Sequence, residues 1–72
     1  MENFKVIKWT NKFSNETGYV GGTSKKNRCF YNSDVTNARR FKSDSALSKV
    51  IAELTEYGEA DNNILEAVSV SL

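Results

Sequence analysis

The chain contains no histidine, no proline and a single cysteine, and each scarcity closes a route to function. Without histidine, no side chain has an ordinary pKa near neutrality, and the Ser-His and Cys-His nucleophile pairs and the commonest zinc ligand are missing. Cys29 alone makes neither an internal disulfide nor a Cys-x-x-Cys metal site, so no staple is expected and the chain suits a reducing compartment. No apolar run approaches the ~20 residues of a membrane-spanning helix, and the Met1-Glu2-Asn3 start lacks the charged and apolar regions of a signal peptide. These absences predict a cytoplasmic protein that is not an enzyme, has no cofactor or metal site, and does not act at a membrane.

What is present is enough for one small fold. Seventy-two residues form a single domain, 1–72, because so short a chain cannot divide its apolar side chains between two cores. Area scaling for this size implies that folding buries only roughly 60% of the open chain's surface. Unstapled domains of this kind gain core by pairing with another copy or a partner, so a homo-oligomer is expected. Charge is uneven. The first 49 residues carry all ten Lys and Arg with four acids, net +6; the last 23 carry five acids and no base, net −5. Such a split predicts one basic and one acidic face.

The first half alternates as strands do. Phe4 to Thr10 is rich in β-branched and aromatic residues, with Phe4, Val6 and Lys8 on one side and Lys5, Ile7 and Trp9 on the other. Both sides are partly apolar, so a helix is expected over one and a dimer mate or target over whichever of Ile7 and Trp9 the helix leaves bare. Ser14-Asn15-Glu16-Thr17-Gly18 reads as a hairpin turn with Gly18 at a positive φ, leading into a strand at Tyr19-Val20-Gly21. A loop over 21–27 and a strand over 28–32 complete an antiparallel meander.

The second half changes period. Ser33 or Asp34 is placed to cap a short helical turn in which Val35, Ala38 and Phe41 share a face, ending near Lys42. Ser43 or Asp44 then opens a helix over about 44 to 57. Its stripe is Ala46, Leu47, Val50, Ile51 and Leu54, extended by Tyr57 and closed by Gly58. Leu47, Val50, Ile51 and Leu54 are expected among the most buried residues. Asp61-Asn62-Asn63 reads as a turn, and Ile64 to Leu72 as a half-buried strand. The fold class is α+β, in the order β-β-β-α-α-β, with a four-stranded, mainly antiparallel sheet and the helices on one face.

Candidate chemistry lies in the basic, aromatic half. Gly21-Gly22-Thr23-Ser24-Lys25-Lys26 has the residue types of a phosphate cradle but not the Walker order, and reads instead as a flexible hairpin loop with solvated lysines. Lys8, Trp9, Lys25, Lys26, Arg28, Tyr31, Arg39 and Arg40 form the candidate binding set, joined by Lys12-Phe13 and Tyr19. Cations held near aromatic faces are what single-stranded nucleic acid and nucleotides require, the former for phosphates and the latter for bases. Phe4, Phe30 and Phe41 are expected in the core; Trp9 and Tyr31 suit either core or contact. Cys29 is expected to be a buried thiol. Glu53 and Glu56 share the outer face of the 44–57 helix, and an acidic face of that kind can occupy a basic nucleic-acid channel on another protein.

The stretch Ser33-Asp34-Val35-Thr36-Asn37-Ala38-Arg39-Arg40-Phe41-Lys42-Ser43-Asp44, running into Ala46-Leu47, resembles the short-helix, Ala-x-x-Phe, capped-helix segment of small phage proteins. The whole chain, rich in Asn, Ser and Lys, is similar to accessory proteins of bacteriophages and mobile elements of low-GC bacteria. That resemblance implies a non-enzymatic effector of the anti-CRISPR or other anti-defence type, acting in a bacterial host's cytoplasm by binding and inhibiting a host protein. The alternative is a nucleic-acid or signalling-nucleotide binder acting through the basic, aromatic surface.

Overall fold

In the computed structural model, which describes residues 3–71, the strands are β1 (Asn3–Asn11), β2 (Thr17–Ser24), β3 (Cys29–Ser33) and β4 (Asn63–Ser71), and the helices α1 (Asp44–Glu56) and α2 (Glu59–Asn62). One sheet holds the four strands in the order β3-β2-β1-β4, every neighbour antiparallel. The chain is therefore α+β with the order β-β-β-α-α-β.

Local chemistry sets the ends of α1. The Ser43 side-chain oxygen accepts from the Ala46 amide at 3.2 Å, satisfying one of the helix's free donors. Gly58 takes a φ of +90° just past the last turn, a left-handed conformation that suits glycine. The stripe packs Leu47, Val50 and Leu54 onto Ile7, Val20 and Phe41, with Trp9, Phe30, Ile51, Tyr57 and Leu65 at the margin. Ile51, expected among the most buried, is only half-buried, and Ala46 is exposed. They lie on the flank of the stripe, past the edge of the contact with the sheet.

Neither Ile7 nor Trp9 is left bare, so the expected need for a mate to cover one of them is not met. The other side of β1 is covered as well. Cross-strand register places Phe4 with Val70 and Val6 with Val68 on the face away from α1. Val6 on that face is 0% exposed, as is Ile7 beneath the helix.

A segment expected to be helical runs alongside β1 and contributes Ala38 and Arg40 to this face. Between β3 and α1 there is no helix: the Asp34 carboxylate accepts from the Asn37 amide at 2.9 Å in a single turn, and the chain then runs extended. The Arg39 amide donates to the Val20 carbonyl at 3.0 Å, the Phe41 amide to the Lys5 carbonyl at 2.8 Å, and the Lys5 amide to the Phe41 carbonyl at 3.2 Å. The reason is backbone satisfaction. β1 and β2 pair only over Lys8–Thr10 and Thr17–Tyr19, and a register shift between Val20 and Gly22 follows. The groups of Lys5 and Val20 thus need other partners, which a helix with internal bonds could not supply. Phe41 turns its ring into the α1 core. By alternation Ala38 and Arg40 face the other side, where Ala38 is buried.

Three turns also differ from expectation. The positive φ of the first hairpin belongs to Asn15, at 62°, while Gly18 is inside β2. Gly18 is needed for space: a Cβ there would lie 2.8 Å from the Trp9 ring and 2.4 Å from Asn32 Oδ1. Gly21, Gly22, Thr23 and Ser24 continue β2 and pair with β3, so the connection shrinks to residues 25–28. The Asp61-Asn62-Asn63 turn is replaced by α2 ending at Asn62, with Asn63 already in β4 and its side-chain amide donating to the Glu59 carbonyl at 3.0 Å.

Candidate binding surface

The basic residues separate into two groups. Lys25, Lys26 and Arg28 occupy the β2–β3 turn, held by the Asn27 amide donating to Ser24 Oγ at 3.2 Å, with Arg28 at a φ of 54°. The Arg28 guanidinium lies 5.4 Å from the centre of the Tyr57 ring, at the C-terminal end of α1. Arg39 and Arg40 belong to the other end. They flank Phe41 and Phe4, at 5.1 and 4.4 Å from the ring centres, and Lys5 beside them is ion-paired to Asp44 in the first turn of α1. A thirteen-residue helix is ~20 Å long, so the groups do not close on a single nucleotide.

All three arginines lie over aromatic rings of their own chain. Their rings' faces are thereby occupied, and Arg39 and Arg40, adjacent in an extended segment, point to opposite sides. Lys8 is on the face away from α1, directly across from Glu66 on β4 and Tyr19 on β2. The basic and acidic halves of the sequence therefore interleave where β1 meets β4, and meet again where Arg28 approaches the Glu53 and Glu56 end of α1.

Of the candidate stacking residues, Trp9 is taken up by the fold. Its Nε1 donates to Asn32 Oδ1 at 3.1 Å, and its ring lies 5.9 Å from that of Phe30, tilted by 44°. Tyr31, at 54% exposure, is free for contact. Cys29, expected to be buried, is half-buried on β3.

A cleft of 260 Å³ opens between Asn3, Phe4, Lys5, Phe41, Lys42, Asp44 and Ser69. It is smaller than ordinary ligand pockets, and its central cation, Lys5, is committed to Asp44. Among the described residues no group of three or more His, Cys, Asp or Glu could hold a metal ion, and no helix is long and apolar enough to cross a membrane.

The largest exposed apolar side chain is Phe13, 79% exposed in the β1–β2 turn. Its position is fixed by the backbone. Asn11 Oδ1 accepts from the Phe13 and Ser14 amides, both at 2.9 Å, and the Asn11 amide donates to the Glu16 carbonyl at 2.7 Å. The Lys12 amide bonds the Asn62 carbonyl at 2.8 Å and its ammonium the Ala60 carbonyl at 3.1 Å, tying this turn to α2. Ile64, 46% exposed, is the second residue of β4, opposite Thr10 on β1, and Glu16, Glu59 and Asp61 contribute negative charge at the same end. Phe13 stands among polar residues in a sequence that otherwise marks a turn; that contrast was the available signal. Ile64 had none, because alternation in a strand does not distinguish a covered residue from a bare one.

No family model, curated protein or solved structure matches this chain.

Proposed function

We propose that this protein is a non-enzymatic effector of the phage type, which binds and inhibits a host defence protein in the bacterial cytoplasm. The observation that carries the reading is Phe13, a phenyl ring held out to solvent on a turn braced by Asn11 and Lys12. An exposed aromatic on an ordered turn contributes nothing to its own core and has the character of a binding anchor, since aromatic side chains dominate the energetics of protein interfaces. Ile64 adds a second exposed apolar side chain at the start of β4, and Glu16, Glu59 and Asp61 give this end an acidic character that suits a partner with a basic surface, such as a nucleic-acid channel.

The nucleotide alternative has less support. Its cations are divided between the two ends of α1, and Trp9 is committed to Asn32 and Phe30, so the exposed aromatics Tyr31 and Phe13 would have to stack the bases, away from the Arg39 and Arg40 cations. The test pairs two measurements on the purified protein. Calorimetry with mononucleotides and oligonucleotides is expected to give no binding heat. Capture from host lysate is expected to retain one defence protein whose activity falls, and Phe13→Ala should lose it with the circular dichroism spectrum unchanged. Tight oligonucleotide or nucleotide binding that Arg39→Glu with Arg40→Glu abolishes, while the fold survives, overturns the reading.

A further inference from the structure

The two strands at the ends of the sheet are unlike. β3 has five residues and lies opposite the register shift between Val20 and Gly22. β4 has nine, pairs with β1 in unbroken register from Asn63 to Ser71, and contains no proline, lysine, arginine or bulge, the usual devices that keep an edge from pairing. Its one charge, Glu66, has Lys8 directly across from it on β1, so the strand presents little net charge to another strand.

The backbone groups on this edge are identifiable. Lys5 exchanges both its bonds with Phe41, and the Asn11 amide bonds Glu16, so odd-numbered residues of β1 turn their amides and carbonyls toward the β2 side. Even-numbered residues therefore serve β4. In an antiparallel ladder opposite residues exchange both bonds, which assigns Ile64, Glu66, Val68 and Val70 to β1. Leu65, Ala67 and Ser69 direct their amides and carbonyls to the free edge.

We propose that the free edge of β4 is a self-association site whose occupant is a second copy of this chain. A two-fold axis through Ala67, perpendicular to the sheet, pairs β4 with its own copy along its full length of ~30 Å, Leu65 falling opposite the copy's Ser69. Self-pairing needs no second sequence, because an antiparallel strand centred on Ala67 offers the same donors and acceptors in both directions. Faces are preserved: both α1 helices lie on one side of an eight-stranded sheet, and on the other the half-buried Val68 and Val70 of each copy lie across from the copy's Glu66 and Ile64. The inference does not depend on the identity of the host target.

Light scattering at ~100 µM should give twice the 8.1 kDa chain mass, falling toward 8.1 kDa on dilution. Ala67→Pro and Ser69→Pro each remove an edge-facing amide, a substitution that edge strands tolerate, and should halve the mass with an unchanged spectrum. Amide exchange in the wild-type chain supplies a readout independent of those variants. The Leu65, Ala67 and Ser69 amides should be protected at high concentration and lose protection on dilution, while those of Val68 and Val70 stay slow throughout. A wild-type mass of 8.1 kDa at ~100 µM, free exchange of the three edge amides there, or a dimer that survives both proline substitutions with its fold intact would overturn the proposal.

Discussion

The two faces of the sheet are sealed by different means. On one, α1 lays Leu47, Val50 and Leu54 over Ile7 and Val20, and the cover is a single element whose apolar spacing is written into thirteen consecutive residues. On the other, Phe4 and Val6 are buried beside an extended segment that bonds Val20 and Lys5, with Ala38 and the Arg40 guanidinium above. A helix satisfies its own backbone and needs only a stripe to dock. An extended cover must borrow bonds from strands distant in sequence, here from Val20 and Lys5. β1 lies between the two, which is why Val6 and Ile7, consecutive residues facing opposite ways, are both sealed.

The largest expected effect is on the helical side. Leu54, fully buried in the main cluster, should cost about 2–5 kcal/mol on conversion to alanine, against a total stability of ~4–11 kcal/mol for a domain of this length. Urea titration measures it. Ile51→Ala serves as the contrast, and its half-buried side chain should cost about half as much.

Val6→Ala asks whether the extended cover is as tight as the helix. Two buried carbons give about 2 kcal/mol if the segment packs closely. A loss under ~0.5 kcal/mol would mean that the segment yields and the two faces are not comparable.

Which parts of this were legible in the sequence follows from the same difference. Helix α1 was expected over 44–57 and found at Asp44–Glu56, because its cap, stripe and terminal glycine all lie within sixteen residues. β1 and its antiparallel neighbour β4 were likewise readable from alternation and from the simplest return path. The segment 34–41 was not. Val35, Ala38 and Phe41 have helical spacing, yet the bonding needs of Lys5 and Val20, set by a register shift elsewhere, outweigh it. The candidate site suffered in the same way. Residue type marked Lys25, Lys26, Arg28, Arg39 and Arg40 as basic, but only tertiary structure divides them between the ends of α1 and lays each arginine over a ring.

A smaller effect tests the outer cover from its rim. Arg40→Ala removes the guanidinium 4.4 Å from the Phe4 ring and should cost about 0.5–1 kcal/mol, measured by thermal or urea denaturation. Arg40→Lys should recover part of that, since an ammonium lacks the flat face that stacks on a ring. No loss in either variant would leave the packing of Ala38 as the whole cover. The size of the effect also matters for the binding test, because a loss this small lets the charge-reversed protein stay folded.

The smallest effect belongs to the junction where α1 meets the β2–β3 turn. The Tyr57 hydroxyl donates to Glu53 Oε1 at 2.6 Å, and this bond, aided by burial and by the charge of Glu53, raises the phenol's pKa above its ordinary value near 10; Arg28 opposes the shift and Glu56 adds to it. The folded chain thus holds the proton more tightly than the unfolded one. Below about pH 10 both states are protonated and the contribution is fully present; it is lost as pH rises through the folded pKa. Tyr57→Phe keeps the ring under Arg28 but removes the bond to Glu53. The stability difference between wild type and this variant should be constant from pH 7 to about pH 9 and shrink above about pH 10, with every other tyrosine and lysine cancelling in the comparison. A difference that stays constant through that range would mean that Tyr57 and Glu53 are not bonded in solution, and that the ring alone joins the turn to the helix.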